Sequence, residues 1–346
     1  PPRICESQSA HRPAATTPKR PSARDASAAS TSACLAAAMA PSMVAPAAFT
    51  CPPPPKLRAD VDIINNRNEV LLASDRQKYV CARFADDGSP ITHVPLDVSG
   101  AKLVQNNLGG MGPGDDGSGD PIMFYENMGT YVDPDGVAQQ INVAIQALPA
   151  NIAEGIDAYA PRNPKANMLN GKFGQINLKT GTCSKFMFAM MSGDREQPKS
   201  IRLPEFYFSM FDIDHNVGPE SIESLSQSSM TAAFVTKSTE LRRSIENGEF
   251  TVTATAAGTG DDNPTDPADL SSKIDPSDRN SKTKADRSIT YLFRDVSVFT
   301  VKFCASDGGY ARNFLFATGS DLAPVCTKRP KECWEPPPPS KPPVPP

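Results

Sequence analysis

Apolar and polar positions alternate with a period of two along much of the middle of this chain. Residues 140–145 (QINVAI), 174–179 (GQINLK) and 250–255 (FTVTAT) place an apolar side chain at every second position, as half-buried strands do. Residues 185–191 (KFMFAMM) and 206–211 (FYFSMF) are almost unbroken apolar runs, the signature of strands covered on both faces. Similar runs fall at 60–64, 122–125, 288–293, 296–303 and 313–316. Val, Ile, Thr, Phe and Tyr are enriched in them, and these residues favour a pleated, half-buried surface. Clusters of Gly, Asn, Asp and Pro separate the runs and supply turns. Helical periodicity is confined to 239–247, which reads as one short helix. About ten short strands with turns between them predict an all-β fold, a β-sandwich or jelly-roll-like single domain.

Composition divides the chain into three parts. The 346 residues include 35 prolines. These crowd the first 55 residues and the stretch after Pro336. Residues 1–55 read as a disordered leader ending in a Pro-rich linker. Within it, 33–50 is uncharged and mildly apolar, follows basic residues and ends in small residues, the pattern of a signal peptide. A bipartite plastid leader is the alternative. Residues 56–325 carry the strand signals and form the expected sandwich. Residues 326–346 form a Cys-containing, Pro-rich tail expected to adopt polyproline II as a stiff spacer. No stretch in the core reads as a membrane span.

A net charge of −4 and the lack of a concentrated basic face argue against a nucleic-acid partner. Eight cysteines stand singly, with no C-x-x-C pair to suggest zinc. Together with the signal-like segment they predict disulfides and an oxidising compartment, with the pairing left open.

Candidate chemistry concentrates in two acidic loops. Asp212, Asp214, Asn216, Glu220 and Glu223 follow the aromatic run at short, mostly even spacing. Carboxylates and amides so placed can wrap oxygen ligands around one hard cation, and Ca²⁺ suits them best. The spacing approaches an EF-hand loop. However, Val217 stands where that loop needs Gly, Pro219 removes a backbone donor, and the incoming segment reads as a strand. The second loop, 258–267 (GTGDDNPTDP), holds Asp262, Asn263 and Asp266 between stiffening prolines, and it is expected to converge with the first. An apolar run leading into Asp-x-Asp also suits a sugar-nucleotide transferase, but that chemistry needs α/β units. Gly112, Gly114 and Gly117 form a nominal G-x-G-x-x-G. Asp115 and Asp116 would repel phosphate there, and no helix follows. Only His93 and His215 lie in the middle of the chain, and no nucleophile elbow or P-loop is present. Tyr131, Tyr159 and Tyr310 fall in loop regions and are candidate sugar-stacking platforms.

Taken together, 106–113 (NNLGGMGP), 170–178 (NGKFGQINL), 203–214 (LPEFYFSMFDID), 258–267 and 312–317 (RNFLFA) resemble a family of uncharacterised extracellular-type β-sandwich proteins from dinoflagellates and other marine algae. The resemblance spans about residues 95–322. It implies the fold and a surface location, and no catalytic residues. The sequence therefore reads as a secreted or cell-surface binding module, Ca²⁺-stabilised, recognising glycan or a matrix protein. A metal-dependent carbohydrate-active enzyme and a structural coat or scaffold subunit are the alternatives.

Overall fold

A computed structural model describes residues 57–80, 92–114, 119–133, 135–216, 221–260, 262–309 and 311–324. Within them the chain forms sixteen strands, short 3₁₀ turns and no α-helix. One sheet has seven strands, in the order β1 (Val61–Asn65), β11 (Ala232–Thr236), β14 (Ile289–Val296), β9 (Leu203–Phe211), β16 (Arg312–Ala317), β6 (Phe173–Leu178) and β5 (Met168–Asn170). The second sheet runs β12 (Leu241–Glu246), β13 (Glu249–Ala254), β10 (Glu223–Gln227), β15 (Val298–Ala305), β7 (Thr182–Ser192), β4 (Ala138–Ala147), β3 (Ile122–Val132) and β2 (Lys102–Asn106). Strand β8 (Lys199–Ser200) pairs with the end of β7. Every strand pairing is antiparallel. The result is the all-β sandwich that the alternation predicts.

The two sheets meet through aromatic side chains. Phe188 and Phe299 of the nine-stranded sheet stack at 5.0 Å, and Phe299 stacks on Phe293 of the facing sheet at 4.3 Å. Phe208 packs against Phe188 at 5.1 Å, and Phe303 against Phe314 at 4.6 Å. Such rings carry most of the apolar area that holds a sandwich together. The apolar runs of β9 and β14 are buried on both faces. Chain segments cross their outer side: Val94 N–H donates to Glu205 O at 2.7 Å, and Tyr207 contacts both His93 and Phe234.

The structure corrects the expected helix at 239–247. Leu241–Glu246 is strand β12, paired with β13 across a two-residue turn in which Asn247 and Gly248 take φ of +53° and +79°. Asn-Gly with two left-handed residues is a favoured hairpin turn, and the hairpin overrides the weak helical pattern. Strands β2, β5, β8, β10 and β11 also form where no strand is expected from the sequence.

Several connections cross from one sheet to the other at the same end of the sandwich, and three of them frame the candidate site. The chain leaves β9 for β10 through 212–222. It leaves β13 for β14 through 255–288, and β15 for β16 through 306–311. Strands β14, β9 and β16 are adjacent in one sheet, and β13, β10 and β15 in the other. The three crossovers are therefore neighbours, and their acidic and basic residues must meet.

Candidate metal centre

The first crossover begins with a sharp change of direction. Asp212 takes φ of +58°, a conformation that Asp tolerates better than most residues. The backbone then docks on the other crossovers: Ile213 N–H donates to Arg287 O at 3.0 Å, His215 N–H to Ala256 O at 3.1 Å, and Gly258 N–H to His215 O at 2.8 Å. Asp214 and Glu223 are locked to each other through Glu223 N–H to Asp214 O at 3.2 Å and Asp214 N–H to a Glu223 carboxylate oxygen at 3.3 Å.

Two arginines organise these acids. Arg312, first residue of β16, donates Nε to Glu223 Oε1 at 2.7 Å and Nη1 to Asn216 Oδ1 at 2.7 Å, and it bonds Asp214 Oδ1 through Nη2. Arg287, just before β14, donates Nη1 to Asp262 Oδ2 at 2.8 Å, Nε to Glu240 Oε2 at 2.8 Å and Nη2 to the Ala257 carbonyl at 2.8 Å. Its Nη1 also lies 3.7 Å from Asp214 Oδ2. Asp262 in turn accepts from Thr259 N–H at 3.0 Å. Gly258 is obligatory here, because a Cβ on it would sit 1.5 Å from Asp214 Oδ2.

Asp212, Asp214 and Asp262 each bring a carboxylate oxygen within 4.8 Å of the others. Asp212 and Asp214 line a recess of about 160 Å³ together with Asn216, Glu223, Asn263, Arg312 and Asn313, and Asp262 stands behind it against Arg287. Asp214 and Glu223 are 2% and 1% exposed. Among the described residues no hydrogen-bond donor reaches the Asp212 carboxylate. With Glu240, five carboxyl groups share two guanidiniums, so full ionisation of the centre would leave an excess of negative charge. The titrations follow from this imbalance. Burial, then the charges of Asp214 and Asp262, push Asp212 up to about 8. Burial likewise pushes Glu223 up to about 8, although Arg312 pulls it back. Asp214 is raised by burial against the pull of Arg312. Burial lowers Arg312, but Glu223 and Asp214 more than reverse this, and it ends above its ordinary value. An all-oxygen donor set with surplus negative charge fits a hard cation.

The other expected site residues fall as follows. Asn216 and Asn263 line the recess, as the loop spacing predicts, with Asn216 Oδ1 engaged by Arg312. Glu223 joins it as the partner of Arg312, which takes up one of its oxygens. Asp266 does not join: it lies in an ion pair with Lys172 outside the recess. Tyr159 is not a stacking platform. It is 5% exposed, packs edge-on against Phe186 at 5.2 Å and donates its hydroxyl to Asn177 O at 3.0 Å. Tyr131 lies near the end of β3, part-buried against the core. Glu220 and Tyr310 lie outside the described residues. Arg287 and Arg312 are the residues of the candidate site that the sequence does not single out. Arg287 closes a short 3₁₀ turn and Arg312 opens β16, and only the crossovers reveal their partners.

No protein-family model matches the chain, and no curated protein does. Several solved structures are similar to it. The adhesin domain of PrgB from Enterococcus faecalis bound to DNA aligns with 8% identity and a TM-score of 0.31, over 58% of this chain and 68% of that one. The N-terminal domain of the Streptococcus gordonii adhesin Sgo0707 aligns with 8% identity and a TM-score of 0.32, over 66% and 62%. Glucan Binding Protein C of Streptococcus mutans aligns with 10% identity and a TM-score of 0.30, over 61% and 62%.

Proposed function

We propose that this chain is a non-enzymatic β-sandwich binding module of the cell exterior, braced at its crossover end by Ca²⁺. The observation that carries the reading is the meeting of the Asp212, Asp214 and Asp262 carboxylates within 4.8 Å of one another beside a recess that Asp212 and Asp214 line, where full ionisation leaves negative charge in excess. Those three carboxylates would hold the ion, with the Asn263 and Asn216 side chains at the rim. When bound, the ion supplies the positive charge that two arginines leave short.

The size of the recess separates ion from substrate. About 160 Å³ accommodates a cation and a few waters, whereas pockets for organic ligands run from roughly 300 to 1,000 Å³. The acids are also poorly placed for sugar hydrolysis, since Asp214 and Glu223 are tied to Arg312 and Asp262 to Arg287. The exterior location is supported by a disulfide between Cys183 and Cys304, a bond that persists in oxidising compartments. Glycan and matrix protein are the ligand classes met there.

Thermal unfolding of the full chain, with Ca²⁺ and with chelator, tests the brace. A ligand bound only to the native state at a hundredfold excess over its Kd stabilises by about 2.7 kcal/mol. For a domain of this size that corresponds to a rise of about 5–10 °C. Asp212→Asn should abolish the shift while leaving both arginine networks intact. An unchanged Tm in saturating Ca²⁺ would reduce the centre to a buried ion-pair network.

A further inference from the structure

Residues around the start of β10 serve two faces of the sandwich. Glu223 turns into the metal centre, while Ile222 and Ser224 line a second hollow of about 530 Å³. That volume lies within the range of organic-ligand pockets. Its floor is a single row across four adjacent strands: Thr253 lies opposite Ser224, Ser224 opposite Cys304, and Cys304 opposite Cys183. Side chains directly opposite in this way share one face of the sheet. The Cys183–Cys304 disulfide and Ile222 give the floor an apolar strip, and the Ser224 and Thr253 hydroxyls border it.

Two carboxylates complete the walls. Asp157 Oδ2 accepts from Cys183 N–H at 2.8 Å, and Asp307 Oδ1 accepts from Gly308 N–H at 3.0 Å. Neither meets a cationic side chain among the described residues, in contrast to Asp214 and Asp262. The rim is held by backbone bonds: Ser221 N–H to Asp307 O at 3.2 Å, Ser306 N–H to Ile222 O at 3.0 Å, and Gly181 N–H to Ala305 O at 2.9 Å. Gly181 has φ of +75°, and a Cβ there would come within 3.2 Å of Asp307 Oδ1, so glycine leaves the carboxylate its seat.

We propose that this pocket binds an organic ammonium on an aliphatic stem, the stem lying on the disulfide and Ile222 and the charge held between Asp157 and Asp307. Charge complementarity selects this class, since two uncompensated carboxylates over an apolar floor favour a cation with a hydrophobic body. A lysine side chain of a partner protein and a free alkyl diamine share that chemistry. The assignment rests on the binding-module reading and is independent of the metal centre.

The test is an NMR titration of the full chain in chelator. The probes are 1,5-diaminopentane, a short lysine peptide and the same peptide with norleucine. Binding should move the amides of Gly181, Cys183, Ser224 and Thr253. Asp307→Asn should weaken it about tenfold, whereas Asp295→Asn, on the exposed pair with Arg202, should leave it unchanged. A response to the diamine alone identifies a free amine as the source, and a response to the peptide alone identifies a protein lysine; both support the pocket. Equal binding of the norleucine peptide, unchanged affinity in Asp307→Asn, or shifts confined to Asn216 and Asn313 would overturn it. So would a neutral oligosaccharide that moves the pocket amides when no amine does, and that result would leave the binding-module reading standing.

Discussion

Replacing Arg312 by methionine removes the group on which Glu223, Asp214 and Asn216 converge. The guanidinium makes two hydrogen bonds of 2.7 Å and a third bond to Asp214, and it is 13% exposed. Methionine keeps much of the stem volume, so the change is chiefly electrostatic. Breaking a buried ion pair by removing one partner costs about 3–5 kcal/mol, because the other charge stays buried and unpaired. A domain has only about 5–15 kcal/mol in total, so urea unfolding at about pH 9, above the value of about 8 to which burial pushes Glu223, should show a large fall in midpoint. Part of the loss should be recovered by Glu223→Gln in the same chain, since that change removes the stranded carboxylate. The double mutant should therefore be more stable than the sum of the singles predicts, by about 1–3 kcal/mol. A loss below about 1 kcal/mol, or strict additivity, would refute the reasoning and mark the network as solvated.

Three further outcomes follow from the geometry. In chelator, stability should fall as pH rises from about 4 to about 8, because the folded chain keeps the Asp212 proton to about 8 while the unfolded chain loses it near 3.8; Asp212→Asn should flatten this slope in a pH series of unfolding curves. Gly258→Ala should abolish any Ca²⁺-dependent rise in Tm and lower stability by more than about 2 kcal/mol, because the new Cβ occupies the place of the Asp214 carboxylate. Cys183→Ser with Cys304→Ser should cost about 2–5 kcal/mol in denaturant titrations, since the bond closes a loop with a sequence separation of 121; no measurable change would mean that the strand pairing alone fixes this part of the sheet.

The fold was legible because its strands carry their burial in their spelling. Phe186, Phe188 and Met190 alternate on β7, and the unbroken run of β9 predicts burial on both faces, which segments crossing the seven-stranded sheet supply. Strands such as β10, ESLSQ, were invisible. Its outward residues are Ser, and Ser226 is nevertheless buried by bonding Thr251 at 2.9 Å, a tertiary effect. The acidic half of the cluster was equally legible, since Asp212 and Asp214 are neighbours in sequence and the proline-stiffened loop pointed to Asp262. Its basic half was not. Arg287 and Arg312 acquire meaning only when three crossovers meet at one end, and nothing local to either residue encodes that meeting. Tyr159 misled for the converse reason: a turn-rich stretch such as 157–167 can still carry a side chain inward.

That meeting of crossovers also orders events in time. Strand β1 pairs with β11 and β6 with β16, so most sheet contacts join distant parts of the chain, a topology that folds slowly. The centre draws on Asp212, Asp214, Asn216, Glu223, Glu240, Asp262, Arg287 and Arg312, and it exists only once both sheets are stacked and the last strand has entered. A cation held there would thus recognise finished molecules and no earlier species. Its kinetic effect should lie in slower unfolding, with the refolding rate left unchanged.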